Sequence, residues 1–227
     1  MLDEINKYAR LKTVRKLGVF MTMERTADSI MKVAMTLPEG VPLAAKGLLH
    51  LGLRAAVDQT LSRLAARGEL IRAGRGIYMR PVQTRFGQRS PSAEQAIEAL
   101  AVQRGETIVP NGAAAANALG LTTQVPVKSV YLTSGQSRVL NLGRQMIELR
   151  HAPRWQLALG NKPSGQVVRA LAWLGPDEAP KALQILRSKL TETAKIELMA
   201  AAPQFPTWLA RLVGEMVHPR ASMTAGD

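Results

Sequence analysis

The chain contains no cysteine. That removes disulfides, thiolate metal sites and cysteine nucleophiles in one step. Imidazole is scarce: His50, His151 and His218 lie far apart in sequence. Any metal would have to rest on carboxylates, and the acidic residues of the second half are scattered. Aromatic residues make up only 4% of the chain. The core must therefore be built from Leu, Ile, Val, Met and Ala, and few rings are available for the base stacking typical of RNA-binding proteins. No run approaches the ~20 apolar residues of a membrane span. After Lys7, Arg10, Lys12, Arg15 and Lys16, the only apolar stretch is Leu17-Gly18-Val19-Phe20, too short for a signal-peptide core. A cytoplasmic protein is expected. Walker loops, GxGxxG, GxSxG and HExxH are missing as well, so no enzyme activity, cofactor or metal is expected. Glu94 and Glu98 read as helix surface, Asp177-Glu178 as charges favoured at a helix N-terminus, and His151 as a surface or capping residue.

What the chain does have is positive charge. Net charge is +13 over 227 residues, which favours a polyanionic partner, either nucleic acid or an acidic membrane surface. The charge is unevenly placed. Residues 1–89 hold 16 Lys and Arg against 7 Asp and Glu, whereas residues 90–227 hold 14 against 10. Residues 54–89 alone carry eight Arg, no Lys, and only Asp58 and Glu69 in opposition. Arginine is the side chain best suited to bidentate contact with phosphate and guanine. With 46% apolar residues a core is affordable, and the length allows one large domain or two small ones.

The pattern along the chain predicts an α+β protein of three parts: a basic N-terminal extension over 1–22, a winged helix-turn-helix over 23–82, and a small α+β domain with a helical C-terminal tail over 90–227. Met21 and Met23 are both plausible starts. Residues 24–36 place Ala27, Ile30, Val33 and Ala34 on one helical face, and Pro38 and Gly40 end that helix. Val41-Pro42-Leu43 is extended, 44–50 is a short helix, and 54–67 is the next. Leu70–Arg72 and Ile77–Met79 read as a hairpin turning at Ala73-Gly74-Arg75-Gly76. Residues 83–91 read as a linker or a second basic strip. Ser92-Ala93-Glu94-Gln95 then opens a helix with a capping box. Beyond it come a strand at 107–109, an Ala-rich helix at 113–118, strands at 127–133, 138–142 and 145–150, and helices at 165–174, 177–190, 192–201 and 206–217.

The segment from Arg54 to Arg80 is the most specific. At 100° per residue, Val57, Leu61 and Leu64 form a core stripe with Thr60 beside them. Ala55, Gln59, Ser62 and Ala66 take the opposite side, flanked by Asp58 and Arg63. Small residues let a helix backbone approach base edges. Gln59 can pair bidentately with adenine, Arg63 with guanine or phosphate, and Ser62 with base or backbone. Arg54 stands at the helix start, where unpaired amides also favour phosphate, although Asp58 four residues on can pair with it instead. Arg72, Arg75 and Arg80 on the hairpin can reach the DNA backbone or the minor groove. Tyr78 reads as core.

This stretch, AAVDQTLSRLAARGELIRAGRGIYMRP, resembles the N-terminal winged-helix domain of AbiEi-type antitoxins of bacterial type IV toxin–antitoxin systems. The resemblance covers residues 25–85 closely. It continues to about residue 150 through PNGAAAANALGLTTQVPVKSVYLTSG and MIELRHAP, and is only general beyond 160. It implies double-stranded DNA as partner, at inverted repeats in the protein's own promoter, with repression. It also implies opposition to a nucleotidyltransferase-like toxin encoded alongside. Carried onto this chain, the DNA-contacting residues would be Arg54, Gln59, Ser62, Arg63, Arg72, Arg75 and Arg80, in a monomer or homodimer on DNA. No sharp motif carries the antitoxin activity. A stand-alone winged-helix regulator, whose second domain senses a ligand or oligomerises, is the other reading. A nucleic-acid enzyme or RNA-binding factor would require the catalytic cluster or exposed rings that are missing here.

Overall fold

The computed structural model describes residues 24–217. The expected basic extension over 1–22 lies outside the described residues, as does His218. The fold is α+β and divides into two compact units, one holding the residues up to Gln103 together with Leu140–Gln145, the other Arg104–Val139 and the chain from Met146.

In the first unit, helix α1 (residues 24–36) leads through a turn at Glu39-Gly40 to Leu43 and a 3₁₀ helix, Ala45–Leu51. Helix α2 follows at Arg54–Ala66. Its stripe of Val57, Thr60, Leu61 and Leu64 is buried and packs with Ile30, Ala34, Leu43, Leu48, Leu70 and Tyr78 into one core. Thr60 survives there because its hydroxyl donates to Ala56 O at 2.7 Å, which removes the cost of burying an unpaired donor.

Strands β1 (Ile71–Gly74) and β2 (Ile77–Met79) form an antiparallel hairpin. The strand runs through Ala73 and Gly74, so the turn is tighter than the four residues expected, with Arg75-Gly76 alone at its tip. Gly76 has φ 68°, a conformation costly for residues with a Cβ. Leu43 adds an antiparallel bridge to Tyr78, with hydrogen bonds of 2.7 and 3.2 Å.

Of the two readings of 83–91, a linker or a second basic strip, the structure shows a folded strip. Strands β3 (Val82–Thr84) and β4 (Gly87–Arg89) make a second antiparallel hairpin, and the compact unit continues through most of helix α3, Ala93–Arg104. The capping box at Ser92 is half formed. Ser92 Oγ accepts from Gln95 N at 3.2 Å, but the Ser92 amide donates to Glu39 at 3.1 Å rather than to Gln95. Gly40 has φ 80°, and a Cβ there would fall 2.8 Å from Ala96 N. Close approach of that turn to the start of α3 is what demands glycine.

In the second unit, β5 (Ile108–Pro110) pairs antiparallel with β6 (Ser129–Thr133), which pairs in parallel with β8 (Gln145–His151); β7 (Arg138–Leu142) begins in this unit and runs into the Leu140–Gln145 segment of the first. Helix α4 (Gly112–Ala118) is capped by Asn111, whose side chain accepts from Ala114 N. After α5 (Arg154–Leu157), helix α6 (Pro163–Arg187) breaks at Gly175, φ 78°, so its two halves match the two helices expected there. Helices α7 (Glu192–Ala201) and α8 (Thr207–Val217) complete the helical tail. Leu171, Leu183, Leu198, Leu209 and Val213 fill its core. Arg169 is buried among these elements with Nη1 donating to Gly160 O at 2.7 Å. Desolvation lowers its pKa to about 10, and it remains charged at neutral pH.

Candidate nucleic-acid interface

The outer side of α2 is formed by small and polar residues that the core does not use. Ala55, Gln59, Ser62, Arg63 and Ala66 are exposed, opposite the stripe of Val57, Leu61 and Leu64. Six of the seven residues singled out from sequence lie on this helix and the hairpin that follows it, with Arg80 just past the hairpin's last strand, but their availability differs.

Arg54 is engaged. Its Nε donates to Asp58 Oδ2 at 2.8 Å across one helical turn. Both side chains are about half exposed, and such pairs contribute only ~0.3–0.5 kcal/mol, so a phosphate could displace the carboxylate at small cost. Ser62 is also engaged. Its hydroxyl donates to Asp58 O at 3.0 Å and lies 3.2 Å from Tyr78 Oη. With the hydroxyl hydrogen committed, a serine keeps only acceptor capacity. Ser62 thus ties α2 to strand β2. Tyr78, 4% exposed, is core as expected. Arg72 lies directly cross-strand from Tyr78, so both side chains leave the same face of the hairpin, the face from which Tyr78 reaches α2. Gln59 and Arg63 are exposed on the helix, and Arg72 and Arg75 on the hairpin.

Three of the eight arginines between 54 and 89 are held by carboxylates: Arg54 by Asp58, Arg67 by Glu69 at 2.8 Å, and Arg89 by Glu39 at 2.8 Å. Among the described residues, no carboxylate forms an ion pair with Arg72, Arg75, Arg80 or Arg85. The uncommitted positive charge therefore sits on the two hairpins more than on the helix. No acidic residue occurs between Glu69 and Glu94.

Glu39 anchors the second hairpin, a role not read from sequence. Its carboxylate accepts from both Nη atoms of Arg89, at 2.8 and 3.1 Å, and from the Ser92 amide. These bonds hold its pKa below the ordinary carboxylate value, the hydrogen bond from Arg89 contributing most. The contact spans fifty residues, so no local pattern announces it. Because the folded-state pKa is depressed, this stabilisation is fully present at neutral pH and fades as pH falls below the ordinary carboxylate range. Glu39→Gln should weaken the first unit slightly at neutral pH and narrow the gap between its urea midpoints at neutral and acidic pH. An unchanged gap would show that the pair contributes nothing.

Among the described residues, no group of three His, Asp or Glu is placed to hold a metal ion, and no helix is long and apolar enough to cross a membrane. His151 Nδ1 lies 2.9 Å from Gly135 O. No curated protein and no solved structure matches the chain. A family model described as a family of unknown function (DUF6088) matches residues 29–197, and the chain belongs to that family.

Proposed function

We propose that the first unit is a winged helix-turn-helix that binds duplex DNA, with α2 as the helix entering the major groove and the β1–β2 hairpin as its wing. The observation that carries this reading is the combination at α2 and β2. A helix with a fully buried stripe presents Gln59 and Arg63 outward, is tied through Ser62 to Tyr78, and stands beside a hairpin whose Arg72 and Arg75 form no ion pair with a carboxylate among the described residues. The order of elements supports it too: α1, an extended residue bridged to β2, a short helix, α2 and a hairpin, within about sixty residues.

Within this reading Gln59 recognises a base and the wing arginines grip phosphate. Gln59→Ala should leave overall affinity for unrelated DNA unchanged and relax discrimination at one base pair by ~1–3 kcal/mol. Footprinting on the DNA immediately upstream of the gene, followed by binding to single-base variants, is the test. Equal discrimination at every position in wild type and variant would remove Gln59 from the contact.

The resemblance of Ala55–Pro81 to AbiEi-type domains extends the proposal to a transcriptional autorepressor that serves as the antitoxin of a nucleotidyltransferase-like toxin. Nothing in the second unit identifies residues for that role. Co-expression with the neighbouring gene decides it: rescue of growth supports the antitoxin reading, and a neighbour harmless on its own leaves a stand-alone regulator.

A further inference from the structure

The second hairpin is an unusual object to leave on a protein surface. Two-stranded ribbons are marginal in water unless a third strand or an apolar face supports them, and this one forms a sheet of only two strands. All three residues of β4 are exposed. At its tip, between Thr84 and Gly87, stand Arg85 and Phe86. Phe86 is 87% exposed, more than any other aromatic residue among the described ones. The Arg85 guanidinium carbon lies 4.7 Å from the centre of its ring. Single exposed apolar residues are ordinary on protein surfaces. Here the ring stands at the end of a projecting ribbon, beside a cation, on a stretch without a carboxylate.

The base of the ribbon is fixed. Glu39 clamps Arg89 through two hydrogen bonds and holds the Ser92 amide that follows. Thr84 closes the tip, accepting from Phe86 N at 3.2 Å and donating to Gly87 O at 2.8 Å. Only Arg80 and Pro81 separate this ribbon from the β1–β2 wing. The charge of Arg80 also favours the ionised form of Glu39, as the smallest of the contributions.

We propose that this tip is a second DNA-contacting arm, in which Arg85 meets the phosphate backbone and Phe86 wedges against a base step from the minor groove. The inference rests on the DNA-binding reading above and deepens it. Proteins that kink DNA insert apolar side chains such as Phe or Leu between partly unstacked bases, beside basic residues that read the narrow groove. A positively charged ribbon with one unburied ring at its end fits that requirement. No residue from Leu70 to Ala93 is acidic, so the hairpin's own residues bring no carboxylate to phosphate; Glu39 at its base is paired with Arg89.

The test uses the full chain and a duplex carrying the sequence upstream of its own gene, with 2-aminopurine placed at successive positions to report unstacking. The parent protein should raise the fluorescence at one step. Phe86→Ala should abolish that rise and weaken binding roughly 5- to 100-fold, the range set by loss of one aromatic–base stack. Phe86→Leu, which keeps an apolar wedge without the aromatic stack, should retain the fluorescence rise and recover part of the binding. Phe86 packs into no core, so circular dichroism should show each variant folded as the parent is. Unaltered binding and fluorescence in Phe86→Ala would overturn the wedge. If a variant lacking Arg72, Arg75 and Arg80 still loses DNA, only this arm is withdrawn; if that variant binds as the parent does, the DNA-binding reading falls and the arm with it. Weaker binding by Phe86→Ala with no unstacking in the parent would reject insertion. Phe86-dependent binding to anionic phospholipid vesicles instead of DNA would assign the tip to a membrane and overturn the proposal.

Discussion

Replacing Arg72, Arg75 and Arg80 together by alanine is expected to lower the affinity for duplex DNA on the order of a hundredfold at about 0.1 M salt. Each phosphate neutralised contributes ~0.9 to the slope of log affinity against log salt, so three lost contacts should flatten that slope by about 2–3 units. The loss should be similar for specific and unrelated sequences, because phosphate carries no sequence information. Fold stability should change little. Arg72 and Arg75 are exposed, Arg80 is partly so, and none forms an ion pair among the described residues; exposed substitutions of this kind usually stay within about 0.5 kcal/mol. Restoring lysine at all three positions should recover most of the electrostatic affinity. Titrations of labelled duplex across a salt series provide the measurement. A variant with the parent's slope would mean that the wing does not touch the backbone, and the winged-helix reading of this unit would fail.

Leu61→Ala should cost about 2–5 kcal/mol of stability. Leu61 is fully buried and sits in the core shared by α1, α2, Leu43 and Tyr78. Removing its branched end deletes apolar contact and leaves a void that the surrounding helices can fill only in part. Gln59, two residues away on the exposed side, provides the contrast: its truncation should be neutral for folding and felt only in base discrimination. DNA affinity of Leu61→Ala should fall just as far as the folded fraction of the first unit falls, and lowering the temperature or adding DNA should restore it. Thermal melts of the two variants would separate the roles. A Leu61→Ala protein as stable as wild type would contradict the buried stripe on which the orientation of α2 depends.

Much of the architecture was legible because it follows from local chemistry. The 3.6-residue period of Val57, Leu61 and Leu64 oriented α2, and Gly and Pro marked the ends of elements. Gly175 divided the long helix where expected, since a residue at φ 78° interrupts the hydrogen-bond ladder. The hairpin at 82–89 is less legible, because the sequence of 83–91 reads equally as a linker or a second basic strip. Val82–Thr84 and Gly87–Arg89 are three-residue strands of mainly polar residues, without an apolar alternation to reveal them, and the clamp that steadies them comes from Glu39.

Availability was the other quantity hidden from sequence. Arg54 and Arg72 are the same side chain in similar surroundings along the chain, yet one is held by Asp58 and the other is not. Ser62 lies on the outward side of its helix in any wheel, but only the folding of β2 against α2 puts Tyr78 Oη at 3.2 Å from its hydroxyl. By itself the sequence determined periodicity, turns and the placement of charge, because these depend on neighbours within a few residues. Which cations remain uncommitted, and which ring is left in solvent at the end of a ribbon, was decided by the tertiary structure, because ion pairing and burial depend on groups that meet only when distant parts of the chain are packed together.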